Sequence, residues 1–143
     1  MFRIRPTHAR HPLISQRGLV PSINFSNATL SNEIITESAV VCQFLADSQP
    51  SHLVPQSADP KGPLTRARMN FFLDTWQTKI ASHMIGALKA DSEAEKEAKC
   101  KEWIAAVQKE LEPLLKDADP FFGGSRKMTL VEVNGLLRRL VPC

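Results

Sequence analysis

The residues with the clearest chemical potential lie at Val20–Pro21 and at Glu37–Ser38. A helix is predicted to begin at Glu37–Ser38, where free backbone N–H groups and the helix dipole attract a carboxylate and the Ser38 hydroxyl adds a donor. Pro21 is predicted at the start of a strand, where its missing N–H is tolerated and a cis bond would expose the carbonyl and N–H of Val20. Together these two features predict a site for a small peptide-like ligand.

The elements that would position these residues lie between Arg17 and Leu45. Apolar residues around Ile23 predict one strand, and Ile34–Ile35 predict a second after a segment of turn-forming residues. Helical spacing predicts that the helix beginning near Glu37 buries one apolar stripe. That stripe contains Val41, Phe44 and Leu45.

The order Gly-Leu-Val-Pro, hairpin, Glu-Ser-Ala-Val resembles the second half of the thioredoxin-like domain of the glutathione S-transferase family. The resemblance implies that Pro21 is the cis-proline and that the backbone of Val20 pairs with the cysteinyl part of glutathione. It also implies that Glu37 and Ser38 hold the γ-glutamyl end. The alternative is an ordinary hairpin followed by a normally capped helix.

The charge of the chain is unevenly distributed. The net charge is +3, yet residues 1–32 contain Arg3, Arg5, Arg10 and Arg17 and no acidic residue. The remainder is close to neutral, which gives no basic face for nucleic acid. No apolar run is long enough to span a membrane. The sequence therefore predicts neither a nucleic-acid partner nor a membrane segment.

The three cysteines, Cys42, Cys100 and Cys143, form no C-x-x-C pair and no metal-binding pattern. An odd and widely spaced set predicts reduced thiols in a cytoplasmic protein, and no metal is expected. Cys42 lies one helical turn after Ser38, so it could contact a bound tripeptide. Packing as a small buried thiol is the favoured alternative.

Proline-rich composition divides the chain into segments. Residues 1–17 are predicted to be a disordered basic leader, with a mitochondrial targeting peptide as the alternative. Residues 18–47 are predicted to be a partial thioredoxin-like domain, 48–62 a linker and 63–143 a partial helical domain. The predicted fold class is α+β and mostly α.

After the linker, the sequence RARMNFFLDTW resembles the first helix of the all-helical domain in fungal and omega-like glutathione transferases. The resemblance implies that this helix lines the subunit interface and the electrophile pocket, so a homodimer is possible. Three- and four-residue spacing predicts one apolar stripe along it. The stripe comprises Met69, Phe72, Leu73, Trp76, Ile80, Met84 and Ala87.

Two capping boxes, Ser92 with Glu95 and Thr129 with Glu132, predict the starts of two further helices. Pro113 should kink or split the first of these helices, and Asn134–Gly135 predicts a turn. The motif Phe-Phe-Gly-Gly-Ser before Thr129 resembles the approach to the buried central helix of the transferase family. The side chains predicted to face inward from the helix after Ser92 are Cys100, Trp103, Ile104, Val107, Leu111 and Leu114.

The resemblance covers residues 17–133 and implies conjugation of glutathione, as co-substrate, to small electrophiles. The family's thiol-activating residue belongs to a front segment that nothing in this chain matches, so the chain is expected to be truncated at both ends and weakly active or inactive. No catalytic residue is assigned. The alternatives are a non-catalytic interaction module of the same fold, and an incomplete chain that does not fold alone.

Overall fold

The structure is a computed structural model, and it describes residues 21–49 and 51–136. The chain divides between Ser51 and His52 into two compact units, and the division lies within the stretch predicted as a linker. The described residues are mostly helical with one small antiparallel sheet. The α+β, mostly α class is therefore confirmed.

The described part of the first unit begins with a β-hairpin. Strand β1 (Ser22–Phe25) pairs with strand β2 (Glu33–Thr36), and Ile23 lies opposite Ile35. Asn27 organises the connecting turn, because its side-chain oxygen accepts from the backbone N–H of Leu30 at 2.7 Å and from that of Thr29 at 2.9 Å. Such a side-chain turn fixes where β2 starts.

Helix α1 (Ser38–Ser48) follows β2 after a single residue and packs on the hairpin. The rings of Phe25 and Phe44 meet edge to face, with centroids 4.9 Å apart. Val41 and Ala46 are buried, while Val40 is exposed. The predicted apolar stripe therefore packs as expected, and it holds the start of α1 against the end of β2.

The second unit begins with one long helical run. It comprises α2 (Gly62–Thr75), a π-helical segment (Trp76–Ile80) and α3 (Ala81–Leu88). Gly62 lies so close to the carbonyl of Gln56 that a side chain could not be accommodated there. Most of the predicted stripe is inward. Its buried members are Met69, Phe72, Ile80 and Ala87.

Helix α4 (Glu93–Glu110) packs against α3. Ser92 caps it as predicted, with its hydroxyl accepting from the N–H of Glu95 at 3.2 Å. A short 3₁₀ helix (Glu112–Leu115) carries Pro113 in its first turn, so the α-helix ends before the proline. One predicted orientation is wrong, because Ile104 is 49% exposed rather than inward. Ile104 follows buried Cys100 by four residues, so the two share one side of α4, yet only Cys100 is buried.

Helix α5 (Leu130–Leu136) is packed against α2. The predicted turn at Asn134–Gly135 is wrong, since α5 continues through both residues. The Asn134 amide donates to the carbonyl of Leu130 at 3.0 Å, which accommodates the asparagine within the helix.

A loop leads into α5 through a 3₁₀ turn (Phe122–Gly124). Phe122 is buried there, and its ring lies edge to face with that of Phe72 at 5.6 Å. Gly123 and Gly124 both have positive φ values, so this turn favours glycine. The core of the second unit is built around these aromatic rings and the first turn of α5.

Candidate ligand site at the start of helix α1

The hairpin register brings two of the predicted site positions to one end of the sheet. Ser22 pairs with Thr36, so Pro21 and Glu37 both continue from that last pair. Antiparallel pairing places neighbouring strands less than about 6 Å apart at each pair. Pro21 is exposed, as are Glu37 and Ser38. The structure therefore gathers Pro21, Glu37 and Ser38 at one accessible edge.

Glu37 joins β2 to α1 in a left-handed conformation, with φ 71° and ψ 124°. A glutamate there is uncommon and costs about 1–3 kcal/mol relative to a relaxed backbone. The conformation lets the chain turn directly from strand to helix, and the carbonyl of Glu37 accepts from the N–H of Val41 at 2.9 Å. Such outliers concentrate at functional positions, which makes this junction the candidate site.

The start of α1 is open to a ligand. Within the described residues, the side chain of the N-cap residue, Glu37, makes no capping hydrogen bond, and the first turn contains no acidic residue. The first N–H groups of a helix have no partner within it. A carboxylate from outside the chain would satisfy those donors and interact favourably with the dipole, with the exposed Ser38 hydroxyl beside it.

Two other predicted residues of this site are Val20 and Cys42. Val20, and with it the peptide bond to Pro21, lies outside the described residues. Cys42 is a free, half-buried thiol on α1, one turn beyond Ser38. Its place on the helix is therefore the predicted one.

The predicted redox state of the cysteines is corrected at one position. Cys100 is disulfide-bonded, so the expectation that all three thiols are reduced is wrong. Spacing alone missed this, because a disulfide between cysteines far apart in sequence depends on tertiary proximity.

Within residues 21–49 and 51–136, no group of three or more His, Cys, Asp or Glu side chains could hold a metal ion. None of the helices in those ranges is both long and apolar enough to cross a bilayer. The start of α1 thus remains the site with the most developed geometry.

No protein-family model, curated protein or solved structure matches this chain. The transferase resemblance thus rests on the quoted motifs. What sequence reasoning missed at the site is the left-handed Glu37, for which a single glutamate between a strand and a helix gives no signal. In the second unit it also missed the hydrogen bond that the N–H of Phe122 donates to the Glu132 carboxylate, ten positions later.

Proposed function

We propose that this chain binds glutathione in the manner of the glutathione S-transferase family. In this proposal the first unit corresponds to part of a thioredoxin-like domain and the second to part of the family's helical domain. The observation that carries it is the left-handed Glu37 at the exposed start of α1, where the Glu37 side chain itself makes no capping hydrogen bond. The γ-glutamyl carboxylate would accept from the N–H groups of that first turn and from the Ser38 hydroxyl.

The rest of the ligand would extend along the hairpin end. Pro21 would expose the backbone of Val20, which would pair with the cysteinyl part of glutathione. Glu37 would face the γ-glutamyl amino group. A carboxylate near an ammonium and an N–H cluster near a carboxylate give complementary charge to both ends of an amino acid group. This complementarity favours a γ-glutamyl peptide over a simple anion.

Chemistry at the ligand would be weak or absent. The family reaction is attack of the glutathione thiolate on an electrophile, and it requires a group that lowers the thiol pKa. The proposed residues bind and orient glutathione, and none of them is assigned to the thiol. Conjugation of small electrophiles is therefore the family activity, and we assign this chain no catalytic residue.

The binding proposal is tested by retention of the full chain on immobilised glutathione and by titration calorimetry. Ser38→Ala should weaken binding about tenfold, because one donor to a charged group is worth about 1.5 kcal/mol. Ser82→Ala is the matched control, since Ser82 is an exposed helical serine of the second unit. Folded wild-type protein that does not bind glutathione would contradict the proposal.

A second candidate function is a non-catalytic interaction module, favoured by the exposed face of α2. Leu64 is 58% exposed and Phe71 is 59% exposed. They are seven residues apart, so they lie on the same side of the helix. A second copy of the chain, forming a homodimer over this face, is the proposed occupant. Light scattering on wild type and Phe71→Ser distinguishes the cases, since a monomer in both removes this candidate.

A cytoplasmic location is part of the transferase proposal, because reduced glutathione is abundant there. Disulfides in that compartment are usually transient or redox-sensing. The disulfide at Cys100 would then be reduced and reformed as the redox conditions change, rather than being permanent.

A further inference from the structure

The turn between β1 and β2 carries the acceptor pattern for N-linked sugar. Residues 27–29 read Asn-Ala-Thr, which fits the pattern Asn-x-Ser/Thr with no proline in the middle position. All three residues are exposed. Residues 24–26, Asn-Phe-Ser, form a second such pattern at the end of β1. The hairpin therefore offers two candidate asparagines whose surroundings can be compared.

The side-chain amide of Asn27 uses its oxygen in the fold and leaves its nitrogen unused. The oxygen accepts from the hydroxyl of Thr29 at 3.1 Å, in addition to the two backbone N–H bonds that shape the turn. Within residues 21–49 and 51–136, the side-chain nitrogen of Asn27 donates no hydrogen bond. A sugar on that nitrogen would leave every bond of the oxygen in place, so the folded turn accommodates it.

The side chain of Asn24, in contrast, is engaged in the hairpin. Its nitrogen donates to the side-chain oxygen of Asn32 at 3.3 Å. The Ser26 hydroxyl, which corresponds to that of Thr29 in the other pattern, accepts from the backbone N–H of Asn32 at 3.0 Å. A sugar on the Asn24 nitrogen would crowd its contact with Asn32. The hairpin therefore favours modification at Asn27 over modification at Asn24.

We propose that Asn27 is a site of N-linked glycosylation. The sugar donor is an oligosaccharide carried on a polyprenyl diphosphate, and an oligosaccharyltransferase catalyses the transfer. The side-chain nitrogen of Asn27 forms a bond to the anomeric carbon of the sugar, and the bond from that carbon to the diphosphate oxygen breaks. The polyprenyl diphosphate leaves with the electron pair, and the nitrogen gives up one proton to a base of the enzyme.

The geometry at Asn27 is local to the turn. The bonds of its side-chain oxygen reach no further than Leu30, three residues along the chain. Side-chain turns of this kind form from neighbouring residues, so the arrangement does not depend on the packing of the helices. It is therefore available to an enzyme that acts while the chain is being made.

The proposal requires the chain to enter the lumen of the secretory pathway, where N-linked sugars are added. Disulfides such as the one at Cys100 persist in that oxidising compartment and are rare in the cytosol. The inference does not rest on the glutathione site. It differs from the transferase proposal in location alone, since glutathione is also present in the lumen.

Translation of the full chain in a cell-free extract that contains endoplasmic-reticulum microsomes tests the proposal. We expect one glycan per chain, seen as an increase in mass that peptide-N-glycosidase removes. Asn27→Gln should abolish the increase, as should Thr29→Ala, whereas Thr29→Ser keeps the hydroxyl and should retain it. A chain that gains no glycan would overturn the inference.

Asn24→Gln and Ser26→Ala are the matched controls, since each removes the second pattern and leaves the first intact. Both should gain the same single glycan as wild type. A glycan that is lost in Asn24→Gln but retained in Asn27→Gln would contradict the assignment, and so would two glycans on the wild-type chain. Glutathione titration of unglycosylated protein is a separate readout, so failure of one proposal does not decide the other.

Discussion

Helices α1 and α5 begin in opposite ways, and the contrast separates a structural helix start from a candidate binding one. At α5, Glu132 accepts from the N–H and hydroxyl of Thr129, both at 2.7 Å. Its other oxygen accepts from the N–H of Phe122 at 2.9 Å, which ties the preceding loop to the helix. At α1, the side chain of the N-cap residue, Glu37, makes no capping hydrogen bond. In the described part of the chain, α5 is therefore capped by its own capping box, whereas the residue that precedes α1 supplies no side-chain cap.

Burial explains why this difference is tolerated. Thr129, Leu130 and Val131 are all buried, and a buried N–H group without a partner costs about 1–3 kcal/mol. Ser38 and the two residues after it are exposed, so water can satisfy their N–H groups when no ligand is present. A helix start without a side-chain cap is therefore tolerated only at the surface, because water can bind its N–H groups there. A ligand can reach the same groups.

The largest expected change in the free energy of unfolding is at Glu132. Glu132→Ala removes the acceptor for two backbone N–H groups in a partly buried place, so the free energy of unfolding should fall by about 3 kcal/mol. Chemical denaturation measures the loss. Glu132→Asp is the matched variant. It should lose less, because its shorter carboxylate retains the Thr129 contacts but not the reach to Phe122. Equal losses in both variants would show that the contact with Phe122 contributes the stability.

A smaller loss in the free energy of unfolding is expected at the start of α4, where an exposed serine caps the helix. Ser92→Ala should lower the free energy of unfolding by about 1 kcal/mol, since it removes the acceptor for the N–H of Glu95. Ser92→Asp should retain that acceptor and most of the stability. A loss at Ser92 as large as at Glu132 would contradict the role given to burial.

Replacing Glu37, in contrast, should not lower the free energy of unfolding. Glu37→Gly relieves the left-handed strain at φ 71°, and it should leave stability unchanged or raise it by up to about 1 kcal/mol. Thermal melts measure this change. Glutathione binding should weaken in the same variant, because the carboxylate that would face the ligand's amino group is lost. A stability loss above about 1 kcal/mol would mean that the Glu37 side chain is structural.

The smallest change in stability is expected at Ser38. Ser38→Ala should alter the free energy of unfolding by less than about 0.5 kcal/mol, as for other exposed positions. Calorimetric titration of the same preparation should show the weakened glutathione binding. Unchanged binding with unchanged stability would leave the open start of α1 without a ligand of this class.

The same contrast shows why some features were predictable. The Ser92 hydroxyl accepts from the N–H of Glu95, and the Glu132 carboxylate accepts from the N–H of Thr129, so each pair makes a cap bond over the three residues that its spacing indicates. The strands flanking the Asn27 turn and the interruption at Pro113 also depend on neighbours in sequence. Interactions of this range are specified by local residue types.

Features that depend on distant parts of the chain were missed. The Asn134–Gly135 pair, a turn signal by local chemistry, is overridden by the helix that packs on α2. Ile104 has the spacing of a core residue, yet its side chain is exposed. Helical spacing identifies an apolar side of a helix, but how much of that side is buried depends on where its partner ends.

The sequence by itself determined the hairpin, the helix starts and the mostly helical class, because turn chemistry, capping and periodicity act within a few residues. Only the tertiary structure decided that Glu37 adopts a left-handed backbone, that Glu132 reaches back to Phe122 and that Cys100 is bonded. Each of these depends on how packing brings separate segments together, and the energy that packing supplies can outweigh a local preference of about 1–3 kcal/mol.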